Sequence, residues 1–193
     1  MKVKIPVKQF SAISLLVATA VAVRVGMNWA ALAIAIPIYG VIVKIGLSET
    51  VAFTSGFVFG PIQGFIAGAL IIAISDMFTW AGLWTPFIAM IIGMLGFFGG
   101  IFRRFKSNPS VIVLGAVAIV LTVVSELLQN LWFGWYMWSF YMPETPFLTV
   151  LAAALVDGLP SMITAIISNT ILFTTVMPRI IKILQEWILL KPQ

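Results

Sequence analysis

The chain has 193 residues, 62% of them hydrophobic and 9% charged, with a mean hydropathy of +1.14 and a net charge of +5. A soluble domain of this length needs more polar surface, and the long apolar runs lack the strict alternation of a barrel strand. The fold class is therefore all-α, a polytopic six-transmembrane-helix bundle with both termini cytoplasmic. Cysteine and histidine are both absent, which excludes disulfides, thiol and imidazole catalysis and the commonest transition-metal ligand.

In chain order the sequence reads as a single transmembrane domain over residues 1–193, with spans at about 10–27, 37–59, 60–81, 85–106, 110–135 and 160–178. The basic start, with Lys2, Lys4 and Lys8, leads into an apolar run too long for a cleavable signal and lacking a small-residue cleavage site. After span one, Leu32, Ile34, Ile36 and Ile38 alternate with alanines around Pro37, which suits an extended, lid-like external loop over about 28–36. Spans two and three meet at Gly60-Pro61, where Pro61 suits a first helical turn. Gly60, Gly64 and Gly68 then leave one helix face as bare backbone on which a neighbour can close. The same helix carries Asp76, about 22 Å from its start at 1.5 Å per residue. A short external link at about 82–84 leads through Thr85 and Pro86 into span four. There Gly93, Gly96 and Gly100 read as close-packing positions, and the span ends in Arg103, Arg104, Phe105 and Lys106. Ser107, Asn108 and Pro109 signal a turn before span five. The longest external connection, about 136–159, is rich in aromatics and leaves room for a short helix from Phe147 to Val156. The last span opens at Pro160, carries Ser168 and Asn169 as candidates for interhelical hydrogen bonds, and continues past Pro178 as a basic amphipathic tail.

With the amino terminus inside, nine of the eleven Lys and Arg lie on the cytoplasmic side, as the positive-inside rule requires. Arg24 and Lys44 lie toward the outer side with Asp76, Glu126, Glu144 and Asp157, while Glu49 falls near the middle of span two. A charge at mid-membrane costs about 2.5–3.5 kcal/mol on insertion scales, so such residues point to partners or a wet cavity. Gln129 and Asn130 extend the polar outer end begun by Glu126, and Trp29, Trp80, Trp84, Trp132, Trp135, Tyr136, Trp138 and Tyr141 share its level. An interfacial aromatic belt would place Trp and Tyr there, but a belt has two sides, and six of the seven tryptophans lie on one. An outward-facing pocket with aromatic walls and a few amide and carboxylate contacts accounts for the asymmetry.

The stretch SGFVFGPIQGFIAGALIIAISDM, followed by GLWTPFIAMIIGMLGFFGGIFRR, resembles the substrate-binding S components of energy-coupling factor (ECF) vitamin transporters. The segment leading to Pro37 is similar to that family's first external loop, and PFLTVLAAALVDGLP to its fifth connection, so the resemblance covers most of the chain. The resemblance implies a prokaryotic cytoplasmic-membrane subunit that takes a small water-soluble nutrient from outside. Loops after spans one, three and five would cap the pocket. It further implies docking on a transmembrane coupling subunit driven by two ATPase subunits, and toppling in the membrane to release cargo inward. The family's alanine-x-x-x-alanine docking face is matched by Ala18 and Ala22, with Ser14 one turn earlier; the alternative is that these small residues pack span one against its own bundle.

No GxxxxGK[ST] phosphate loop is present, so ATP hydrolysis is left to partners; the chain itself is expected to be no enzyme, to need no cofactor and to bind no nucleic acid. Candidate nutrient contacts are Asn28, Trp29, Asp76, Trp80, Trp84, Glu126, Gln129, Asn130, Tyr136 and Asp157. The carboxylates favour a neutral or cationic nitrogen heterocycle, on which the aromatic rings can stack. Each carboxylate has another use: Asp76 could cap the link after its helix, Asp157 could cap span six, and Glu126 could pair with Arg24. Nickel and cobalt members of the resembling family use an amino-terminal histidine, which is missing, so no metal is expected. Two other classes compete: a structural subunit of the rod-shape type, without a small-molecule ligand, and an intramembrane enzyme, for which no paired acidic metal motif is present.

Overall fold

The computed structural model describes residues 7–33 and 45–189. All regular structure among them is helical: α1 (Val7–Ala33), α2 (Leu47–Phe59), α3 (Pro61–Phe78), α4 (Trp84–Phe105), α5 (Val111–Phe140), α6 (Phe147–Ile171), a π-helical segment (Leu172–Val176) and α7 (Met177–Leu189). Five stretches are long and apolar enough to cross a membrane: Val7–Trp29, Pro61–Phe78, Trp84–Phe105, Val111–Phe140 and Phe147–Trp187. The expected second span lies partly outside the described residues, and its described part, α2, has 13 residues.

Helix α1 does not stop at Met27. It runs on to Ala33, because Asn28–Ala33 is rich in alanine, the best helix former, and this local preference outweighs the alternation seen further on. The remainder of the expected loop lies outside the described residues.

The tightest packing joins α2, α3 and α4 through glycine. A Cβ added to Gly56 or Gly64 would overlap the Gly96 carbonyl, one on Gly96 would overlap that of Gly64, and one on Gly100 would strike Pro61. Gly60 has φ +116°, a conformation side chains resist, and its N–H donates to Gly56 O, so the chain reverses within one residue and Pro61 starts α3. Arg103, at the end of α4, donates from Nη1 to Phe57 O (3.0 Å) and Val58 O (2.6 Å), satisfying carbonyls that α2 leaves open at its C-terminus.

The second half of the bundle pairs α5 with α6. Both helices reach into the stretch expected to be a connection: α5 extends to Phe140 and α6 starts at Phe147, leaving 141–146 between them. Helix α6 also passes through Pro160. In that turn Ser161 Oγ donates to Gly158 O at 3.0 Å. Near Pro178 the helix widens into the π segment, with Met177 N–H donating to Leu172 O. Inward residues Ala165, Asn169, Phe173 and Met177 are spaced by four, and the wider turn takes up the drift that this spacing causes in a 3.6-residue helix. Phe173 meets Phe53 of α2 at 5.1 Å between ring centroids, closing a core with Phe57, Leu114 and Ala118.

Candidate functional site

The end of the bundle opposite the Gly60-Pro61 turn holds an aromatic wall between α4 and α5. Trp132 and Tyr136, one turn apart on α5, stack at 5.2 Å and 11°; Phe87 of α4 stacks on Trp132 at 5.4 Å and 20°. Trp84 meets Tyr136 edge-on at 6.3 Å and donates its indole N–H to Trp80 O at 3.2 Å. Two expected candidates, Trp84 and Tyr136, are thus brought together. Their partners Phe87 and Trp132 were not candidates, although the four-residue spacing of Trp132 and Tyr136 carries the signal. The tryptophans divide: Trp84, Trp132 and Trp138 are half-buried, whereas Trp29, Trp80 and Trp135 face outward as a membrane belt would.

Asp76 is buried at the end of α3. Its Oδ1 accepts from Arg24 of α1 at 2.8 Å and its Oδ2 from Thr85 of α4 at 2.7 Å. The pairing of Arg24 with Glu126 entertained from sequence is therefore replaced by Arg24 with Asp76. The carboxylate does not cap the following link either: the Thr79 N–H is received by the backbone carbonyl of Asp76.

A polar seam runs between α2, α5 and α6. Thr122, Ser125, Glu126 and Gln129 recur at three- and four-residue steps on α5, the first three buried and Gln129 half-buried. Gln129 Nε2 donates to Ser125 Oγ at 3.0 Å, and Asn169 Nδ2 of α6 donates to Thr122 Oγ1 at 2.9 Å. Gly46 N–H, just before α2, donates to Ser168 Oγ at 3.0 Å, so both expected interhelical hydrogen-bonders on α6 are used as such. Asn169 Oδ1 is buried without a hydrogen-bond partner among the described residues and occupies the space a Gly46 side chain would need. Glu49 is buried in the first turn of α2, where the helix dipole favours a carboxylate. In this seam Asn169 Oδ1 is an acceptor for an N–H or O–H donor.

The other candidates fall elsewhere. Asn130 packs into the notch left by Gly158 of α6, where an added Cβ would overlap its amide. Asp157 is exposed and lies in the interior of α6, so it caps no helix start. Asn28 and Trp29 belong to helix α1, not to a loop, with Asn28 half-buried and Trp29 exposed.

A family model described as ECF-type riboflavin transporter, S component, matches residues 4–181. The chain belongs to that family. No curated protein and no solved structure matches it significantly. As a member of a transport family the S component is a vitamin-binding subunit of an ECF transporter, not an enzyme, and its apolar helices make it a multi-pass membrane protein. This membership sets aside the rod-shape and intramembrane-enzyme alternatives. On the outside of the S component, Ser14, Ala18 and Ala22 are exposed and line a groove of about 700 Å³ between α1 and α3, opposite Gln63, Ile66 and Leu70. Val17 and Val21, which line the same groove, are buried, whereas Ser14, Ala18 and Ala22 beside them stay exposed.

Proposed function

We propose that this S component captures riboflavin, or a closely related flavin, from outside a prokaryotic cell and hands it to an energised coupling module. The observation that carries this is the family match over residues 4–181. The site's chemistry supports it. Asp76 is paired with Arg24, and Glu49 and Glu126 are also buried, an acidic interior that suits a neutral ring system bearing N–H and hydroxyl donors better than an anion. Thr122, Ser125, Gln129 and Asn169 add hydroxyl and amide groups along α5 and α6, and the wall of Trp84, Trp132 and Tyr136 gives a planar ring an apolar boundary.

In this reading both termini and the basic ends of α4 and α7 face the cytoplasm, and the aromatic end faces outward. The bundle crosses the membrane six times, with α2 in the second span. Ser14, Ala18 and Ala22 dock on the coupling subunit, where small side chains let helices approach closely. Two ATPase subunits drive the reorientation that releases the vitamin inside.

The test is purification in detergent followed by extraction, with absorbance and mass spectrometry of what is released, and titration of the emptied protein with riboflavin by flavin fluorescence. Saturable binding is expected, weakened about tenfold or more by Glu126→Gln and by Trp84→Ala, each equivalent to at least about 1.4 kcal/mol. Absence of flavin binding in the wild type overturns the substrate. Unchanged affinity in both variants overturns the pocket.

A further inference from the structure

A second groove, of about 400 Å³, opens between α4 and α5. It exists because α4 packs chiefly on α2 and α3, whereas α5 packs chiefly on α6, so the two halves of the bundle meet loosely along this seam. Phe53 forms a buried floor, Phe102, Val117 and Leu121 line the walls, and Phe98 and Val120 stand exposed at the rims. Water gains no hydrogen bonds in such a groove, so at membrane depth hydrocarbon must fill it.

The mouth lies at the end of α4. Phe105 lines the groove there and is 85% exposed between Arg104 and Lys106, both also exposed and without an ion pair among the described residues. Arg103 is turned away onto the Phe57 and Val58 carbonyls and does not serve the mouth. The last apolar residue of the groove thus stands between two exposed cations in the chain, a charge pattern that an anionic headgroup complements better than a zwitterionic one. We propose that the groove between α4 and α5 binds one anionic glycerophospholipid, its acyl chain along Phe53, Phe102, Val117 and Leu121 and its phosphate at Arg104 and Lys106. The bound lipid completes the packing between the two halves of the bundle.

Native mass spectrometry of the intact purified chain, offered equal phosphatidylglycerol and phosphatidylcholine with identical acyl chains, tests this. The first adduct is expected to be phosphatidylglycerol by roughly 25-fold, from two cations each contributing roughly fivefold. Arg104→Gln with Lys106→Gln removes most of that preference, while Val120→Trp, which places an indole across the rim, lowers retention of both lipids. Ala116→Phe, at another exposed position lining the groove, serves the same purpose should Val120→Trp fail to give a cooperative melt. Equal retention of the two lipids by the wild type overturns the proposal, as does a preference that survives the charge variant or adducts indifferent to both rim variants. So does a rim variant that breaks association with a protein partner while leaving lipid adducts unchanged.

Discussion

At Asp76 one carboxylate receives Arg24 of α1 and Thr85 of α4, tying three helices at a single point. The Arg24 side chain is 25% exposed and that of Asp76 4%, so removing the acid leaves a largely desolvated cation. Asp76→Asn, which keeps an acceptor for Thr85, is expected to cost about 3 kcal/mol, the low end for a broken buried pair because Arg24 keeps some water. Combining it with Arg24→Gln recovers part of the loss; thermal melts of the four proteins in detergent measure the coupling. The sequence shows that Asp76 needs a partner but not which cation answers, because Arg24 lies 52 residues away and spacing carries no information at that range. Gln129 was readable beside Glu126 because the two are helical neighbours, whereas Thr122 and Ser125 of the same seam were not picked out.

Among the elements, the glycine interface of α2, α3 and α4 is the least tolerant of added volume. Gly96→Ala sets a methyl against the Gly64 carbonyl, and backbone cannot yield as a side chain can, so a marked loss of melting temperature is expected. Gly26→Ala is the control: nothing lies within 4 Å of its added Cβ, and a glycine inside α1 is there replaced with a gain of roughly 0.5–1 kcal/mol. This interface and the Gly60-Pro61 turn were readable from sequence because a four-residue glycine repeat and a proline after glycine are local signals. The Phe147 start of α6 was readable too, as the opening of a short helix, but not its continuation past Pro160. Pro160 ordinarily marks a boundary, but the surrounding bundle holds the helix straight through it, with the Ser161 hydroxyl on Gly158 O in that turn. The same limit applies to α1, whose alanine-rich end stayed helical where alternation had suggested an extended chain.

For the molecule as a whole, the expected division of labour places vitamin capture inside the bundle and docking on the outer face of α1. Ala18→Leu, at an exposed position, is predicted to leave riboflavin affinity unchanged while reducing uptake and co-purification with a coupling subunit at least tenfold; equilibrium titration and cellular uptake measured on the same variant separate the two. Composition alone was enough to recognise a helical membrane protein. Which face of α1 is left free needed the three-dimensional packing, since Ala20 and Ala22 are equally small yet only the first is buried.

The path from Phe147 to Leu189 is one unbroken helical rod. At a rise of 1.5 Å per residue it measures on the order of 60 Å, about twice the hydrocarbon thickness of a bilayer. It cannot stand upright within a single leaflet pair: some of it must project beyond the lipid or lean along the surface. The hydrogen bond from Asn169, midway along this stretch, to Thr122 of α5 is where a tilt of the projecting part would be passed to its neighbour.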